Sequence, residues 1–228
     1  MQIINQLLTK DQFASYISTY SFGPISPNKI VLHHTWRPTV DQWQGQKSID
    51  GMKAYYEGKG WTAGPHLYIA LDGIWLFSPM NKDGIHAGKG NYLSIGIEMV
   101  GDYSLAKPSG EILDQVLFVI KTLQERLNIS DDQIYFHRDY AFKASGCPGW
   151  AVTKEWLINQ LKNYSNNLTQ VNMDKKFVLP DWGKEAADFC QQKGIATQID
   201  STEKAQQCVM IHRLYKTIFA DLAEKLKA

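Results

Sequence analysis

Two short apolar runs end in histidine, Val31-Leu32-His33-His34 and Ile134-Tyr135-Phe136-His137. Ten positions after the second comes Cys147, pinned by Pro148-Gly149. β-Branched and aromatic residues suit a pleated, buried surface, so both runs are expected as strands with histidine where the strand runs out. Pro-Gly forces a turn that can bring the cysteine back toward His137. Two strand-end histidines and one cysteine supply three ligands and leave a fourth position for water. That is the pattern of a catalytic zinc site, since a structural site is normally closed by four protein ligands. The plainer reading makes His137 and Cys147 ordinary packing residues; the histidine of a second, distant strand counts against it.

Zinc-activated water needs a group that takes up its proton, because zinc brings a water to a pKa near 7 but does not carry the proton away. Glu98 is the candidate. It sits between Ile97 and Met99 in the apolar run Leu93–Val100, and a carboxylate in such a strand needs a reason. Alternation puts Ile95, Ile97 and Met99 on one face and Glu98 on the other. An edge position or an arginine partner would also account for it.

These residues need a frame, and the chain supplies one in order. Phe13, Tyr16, Ile17 and Tyr20 are spaced for a short amphipathic helix that Pro24 and Pro27 close. Ser48 is placed to cap a helix carrying Ile49, Met52, Tyr55 and Tyr56 on one side, with Gly58 and Gly60 as stops. Asp72-Gly73 between two apolar runs signals a hairpin. Pro108-Ser109-Gly110 introduces the clearest helix, striped by Ile112, Val116, Ile120 and Leu123, with Ser109 as N-cap. A helix over Thr153–Tyr164 turns Trp156, Leu157 and Leu161 inward. The expected fold is α/β, a mixed central sheet flanked by helices, with a small C-terminal helical segment.

The segments His33-His34-Thr35, Ser94-Ile95-Gly96-Ile97-Glu98, and His137-Arg138-Asp139 followed by Cys147-Pro148-Gly149 resemble the zinc-dependent N-acetylmuramoyl-L-alanine amidases. That family includes phage endolysins, cytoplasmic anhydro-muropeptide amidases and peptidoglycan recognition proteins. The resemblance covers roughly residues 25–165. It implies zinc held by His33, His137 and Cys147, Glu98 as the acid/base, and a peptidoglycan or muropeptide substrate. Two departures stand out. Where some members place a catalytic tyrosine before the histidine of a Gly-Tyr-His segment, this chain has Gly64-Pro65-His66, which makes Glu98 more necessary. Where the family usually has a lysine two residues before the cysteine ligand, Ser145 stands here, with Lys143 nearby; either is a candidate for contact with the oxyanion or substrate. His86-Ala87-Gly88 matches a segment the family uses near substrate. Asn91 either fixes that loop or touches glycopeptide, and Trp36 and Trp61 are placed either to line a sugar-peptide groove or to pack in the core. His34 and His66 read as structural histidines.

Composition narrows the field. The chain has 228 residues, 44% hydrophobic and 21% charged, with a formal net charge of +1. That charge offers no case for nucleic acid binding, and no apolar run approaches the ~20 residues that span a bilayer. Three cysteines imply no disulfide framework. The first residues show no basic stretch leading into an apolar one, so the expectation is synthesis in the cytoplasm without a signal peptide, with action on the cell wall after release if the chain is an endolysin. Domains are expected at 1–165 (zinc amidase) and 178–228 (helical, with wall binding as its candidate role), with a polar linker at 166–177. In the last segment Asp181 is placed to cap a helix that Gly194 stops, and Asp200 with Glu203 to cap a second. Trp182 through Gly194-Ile195 faintly resembles half of a surface-layer-homology-like wall-binding module. Cys190, Cys208 and His212 read as packing residues. The function expected is hydrolysis of the amide between N-acetylmuramic acid and L-alanine; the rivals are a non-catalytic recognition module and a muropeptide-recycling amidase.

Overall fold

The computed structural model describes residues 1–141, 145–174, 181–195 and 202–225. They fall into two compact units, Met1–Tyr164 and Ser165–Ala228. The first is built on a six-stranded sheet: β1 (Gln6–Leu8), β2 (Lys29–His34), β3 (Leu67–Ala70), β4 (Gly73–Leu76), β5 (Ser94–Met99) and β6 (Ile134–Phe136). Their spatial order is β1-β4-β3-β5-β2-β6. β3, β5, β2 and β6 run parallel, while β4 and β1 are antiparallel additions. The mixed α/β sheet expected from the sequence is therefore present.

Strand alternation sorts the two faces. Ile30, Leu32, Leu67, Ile69, Ile95, Ile97 and Phe136 belong to the large core on one side, together with Phe13 and Ile17 of α1 (Lys10–Thr19). Val116, Ile120 and Leu123, from a later helix over Gly110–Leu127, complete that side with Leu157 and Leu161, from one that starts at Lys154. Phe13 is fully buried, and removing such a ring costs about 3–5 kcal/mol. The opposite face carries a smaller cluster in which Ile49 and Tyr56 of α2 (Gln46–Gly58) cover Tyr68, Trp75 and Phe77. The next helices in order are α3 (Gly110–Leu127), α4 (His137–Tyr140) and α5 (Lys154–Asp174).

Several local expectations shift. Ser48 lies inside α2; Gly45, at φ 56°, takes the N-cap position, and Ser48 Oγ instead accepts from the Gln44 amide at 2.9 Å. Tyr55 turns outward at 55% exposure. Ser109 is at the N-cap of α3 but makes no capping side-chain bond. His137 opens a one-turn helix rather than ending a strand. Of the stretch expected as a linker, residues 166–174 lie in α5, and 175–177 fall outside the described residues.

In the second unit a single turn at Asp181–Gly183 precedes α6 (Lys184–Gln192), whose N-cap is Gly183 rather than Asp181. Asp181 instead pairs with Lys184 at 2.5 Å. Gly194, at φ 68°, stops this segment as expected. α7 spans Thr202–Lys225, and its expected cap at Asp200 lies outside the described residues. Ala186, Cys190 and Cys208 are buried between α6 and α7, with Phe189, Val209 and Ile211 partly covered. Among the described residues no helix is long and apolar enough to cross a membrane.

Candidate metal centre

The sheet register assembles the site. In the parallel pair β2–β5, His33 lies opposite Glu98, and in β3–β5, Tyr68 lies opposite Glu98. Partners at one register position share a face, so Tyr68, Glu98 and His33 form a row across three strands. β6 extends the row: Leu32 pairs with Phe136, and the next residue, His137, leaves the strand beside His33 with ring centroids 4.7 Å apart. Residues beyond the carboxyl ends of parallel strands are where α/β sheets hold ligands.

Cys147 arrives from the loop after α4. Its Sγ lies 3.8 Å from His33 Nδ1 and accepts from the His34 amide at 3.4 Å. The donor atoms of His33, His137 and Cys147 all lie within 4.8 Å of one another, the group of metal-ligand type found among the described residues. Two anchors hold the cysteine there. The Arg138 amide donates to the Cys147 carbonyl at 3.1 Å. The Arg138 guanidinium donates to the carbonyls of Gly146, Gly149 and Val152.

A cavity of about 730 Å³ opens over these atoms. Its inner wall includes Glu98, Tyr56 and Tyr68, and its rim Trp36, Arg37, Tyr55, Lys59 and Trp61. Tyr56 stacks on Trp61 at 5.6 Å and its hydroxyl accepts from that of Tyr68 at 3.1 Å. Lys59 Nζ lies over the rings of Tyr55 and Trp61, at 4.4 and 5.0 Å.

Burial sets the protonation states. It holds His33 well below the ordinary histidine range, helped by the neighbouring histidines, and lowers His137. Both rings therefore offer bare nitrogens at neutral pH. Burial pushes the Cys147 thiol up, with the Glu98 charge adding to it. A dication reverses that last effect by supplying the charge a buried thiolate lacks. Glu98 is pushed up to about 8 by burial alone. One of its oxygens is 3.9 Å from His33 Nδ1, and the other is buried without a hydrogen-bond partner. Two imidazoles, one thiol and an unpartnered carboxylate around one open position fit zinc.

The remaining sequence candidates are placed as follows. Trp36 is 59% exposed at the cavity rim, so it is not a core residue. Ser145 lines the cavity, and its Oγ accepts from the Cys147 amide at 3.2 Å. Lys143 lies outside the described residues. His34 turns away from the ligands, accepting at Nδ1 from the Tyr103 amide at 3.1 Å. His66 accepts from the Gly96 amide at Nδ1 and faces the Lys82 carbonyl through Nε2, as a structural histidine would. His86 touches the cavity but lies behind His33, Nδ1 to Nε2 at 3.0 Å. The Asn91 side-chain oxygen accepts from the amides of His86 and Ala87 at 3.0 and 2.6 Å, so it fixes that loop. No local signal in the sequence marks Tyr68, and Arg138 and Ser94 stand out there only as members of longer motif segments. Alternation alone puts Tyr68 on the opposite face from Leu67 and Ile69, but its place beside Glu98 depends on strand order.

Residues 23–150, more than half of the chain, match a family model described as N-acetylmuramoyl-L-alanine amidase. Among curated proteins none matches. Solved structures share the fold. The N-acetylmuramoyl-L-alanine amidase LysC from Clostridium intestinale is 24% identical at a TM-score of 0.53, over 62% of this chain and 89% of that one. PGRP-SA of Apis mellifera is 18% identical at 0.51, over 68% and 87%. A variant of Drosophila PGRP-LB in complex with tracheal cytotoxin is 25% identical at 0.50, over 59% and 88%.

Proposed function

The chain belongs to the N-acetylmuramoyl-L-alanine amidase family, and from that premise we propose that it is a zinc-dependent hydrolase cutting the amide between the lactyl group of N-acetylmuramic acid and L-alanine. The observation that carries this reading is the convergence of His33, His137 and Cys147 on one point with Glu98 beside it in register. A chain that only held peptidoglycan would have no use for a buried, unpartnered carboxylate next to a complete donor set. Zinc, when bound, supplies a Lewis acid that acidifies water and polarises the scissile carbonyl.

The chain's own residues do the rest. His33, His137 and Cys147 hold the ion, and Arg138 keeps the cysteine in place. Glu98 takes a proton from the water that adds to the lactyl carbonyl carbon. It returns the proton to the alanine nitrogen as the C–N bond breaks, leaving a lactyl carboxylate and a free α-amine. Burial raises the Glu98 carboxyl out of the ordinary carboxylate range toward neutrality, where a group that must both accept and return a proton works best. Tyr55, Trp61 and Trp36 offer aromatic faces to sugar and peptide, and Arg37 and Lys59 bring positive charge to the rim. The tracheal cytotoxin complex of a 25% identical structure supports a ligand of that kind.

We further read the protein as an endolysin, with the α6–α7 unit helping to hold the wall. The test is direct: incubate the protein with purified peptidoglycan and measure new N-terminal alanine, with and without chelator. Chelator-sensitive release of alanine supports the hydrolase. Wall binding with no release makes the chain a recognition module. A truncation ending near Asn166 that lyses intact walls as well as full length removes the wall-holding role.

A further inference from the structure

His33 can meet a metal through only one ring nitrogen, and the structure contains the device that chooses which. Ser94 Oγ donates its single proton to the Asn91 carbonyl at 3.0 Å, so toward His86 it can only accept. Its contact with His86 Nε2, at 3.3 Å, therefore requires a proton on that nitrogen. A neutral imidazole carries one N–H, which leaves His86 Nδ1 bare. His86 Nδ1 faces His33 Nε2 at 3.0 Å and must accept from it. The proton of His33 is thereby held on Nε2, and the bare nitrogen is Nδ1, the atom that faces Cys147 Sγ at 3.8 Å.

We propose that His86, set by Ser94 and Asn91, is a positioning residue that fixes the tautomer and ring orientation of His33 and so presents Nδ1 to the metal. This inference rests on the metal-site reading above and deepens it. It also assigns the His86 and Asn91 loop a role behind the ligand instead of against substrate.

Packing agrees. A Cβ at Gly96 would come within 2.7 Å of the His86 ring, and one at Gly84 within 2.8 Å. Those two glycines clear the slot in which the ring stands. Asn91 holds the loop by accepting from both the His86 and Ala87 amides. The His33 and His86 rings stand nearly perpendicular at 86°, and their closest polar atoms are His33 Nε2 and His86 Nδ1 at 3.0 Å. Histidine ligands commonly give their second N–H to a carboxylate or a carbonyl. Here the acceptor is a neutral ring, so the relay orients the ligand without adding negative charge, and the thiolate would be the one anionic ligand.

Two measurements test this. In metal-free wild type labelled with ¹⁵N-histidine, two-bond ¹⁵N–¹H spectra should show both His33 and His86 protonated at Nε2; His33 protonated at Nδ1 overturns the proposal. Zinc affinity, by competition with a chromophoric chelator, gives the second readout. His86→Leu keeps bulk but accepts nothing, and should bind zinc about 10- to 100-fold more weakly. His86→Asn places an amide oxygen where Nδ1 stood and should recover affinity to within a few-fold of wild type. Leu and Asn variants equal to each other, or Leu equal to wild type, overturn the proposal. Should the Leu variant fail to fold, the wild-type spectrum and the Asn variant still decide. A wild-type chain that folds and binds no zinc overturns the metal site and this inference together, whereas zinc binding with the wrong tautomer overturns the inference alone.

Discussion

Cysteine and histidine come together twice in this chain, and the two groups share little beyond composition. In the first unit His33, His137 and Cys147 lie far apart in sequence, are delivered by two neighbouring strands and a pinned loop, and meet under a cavity. In the second unit Cys190 and Cys208 face each other across the α6–α7 hairpin among alanines, Cys190 Sγ lying 3.9 Å from the Cys208 carbonyl. His212 there stacks on Phe189 at 4.6 Å, with Nε2 4.0 Å from Glu185. Buried cysteine in such a place is a small apolar residue. What separates the groups is convergence: the first aims bare donor atoms at one point, and the second turns them into packing.

The largest effect that would sharpen this contrast is that of Cys147→Ala. Alanine release should drop at least ~1000-fold, about 4 kcal/mol of barrier, and zinc content should fall well below one per chain. The melting temperature in chelator should stay close to that of wild type. A variant retaining zinc and activity would collapse the distinction. Glu98→Gln comes next. It should keep zinc and lose at least ~100-fold in turnover, because the amide cannot carry the proton; near-normal turnover would remove Glu98 from the chemistry.

A stability measurement follows. In the metal-free protein the folded-state value of Glu98 is raised to about 8 by burial. The folded state therefore holds a proton that the unfolded chain releases above its ordinary carboxylate range, and wild type loses stability as pH rises from that range toward 8. Glu98→Gln escapes this loss. In chelator its advantage over wild type should grow by about 1.4 kcal/mol per pH unit across that window, reaching a few kcal/mol by pH 7. The buried histidines contribute the opposite slope below their ordinary range, equally in both proteins, so they cancel. Parallel curves for the two would mean that Glu98 is not buried as a carboxyl. The smallest effect belongs to the second unit. Cys190→Ala with Cys208→Ala should leave zinc at one per chain and shift stability of that unit by about 1 kcal/mol. A loss of zinc would make the pair something other than packing.

The pieces of the site were legible in the sequence because each carries a local signal. Apolar runs ending in His33 and His137, a carboxylate between Ile97 and Met99, and a Pro-Gly turn after Cys147 can all be read without a partner. Strand alternation even separates Glu98 from its apolar neighbours correctly. Order and register cannot be read this way, since nothing near Tyr68 says that β3 lies beside β5. The same limit governs His86, whose 3.0 Å contact with His33 Nε2 is announced by no local pattern. The caps differ in another way: Ser48 and Asp181 suit an N-cap, but Gly45 and Gly183 hold those positions, with Ser48 inside α2 and Asp181 opening the turn before α6.

Arg138 ties the chain on both sides of the loop that carries Cys147. Its amide bonds the Cys147 carbonyl, its guanidinium reaches three more carbonyls, and its plane lies over Phe136 and Trp150 at 4.7 and 5.8 Å. The Arg138–Cys147 backbone bond thus closes the connection between those two residues at its ends. Lengthening such a loop adds only about 0.6 kcal/mol of closure cost per doubling. The bond can therefore keep His137 and Cys147 side by side whatever the length of the connection, so their spacing is set by Arg138.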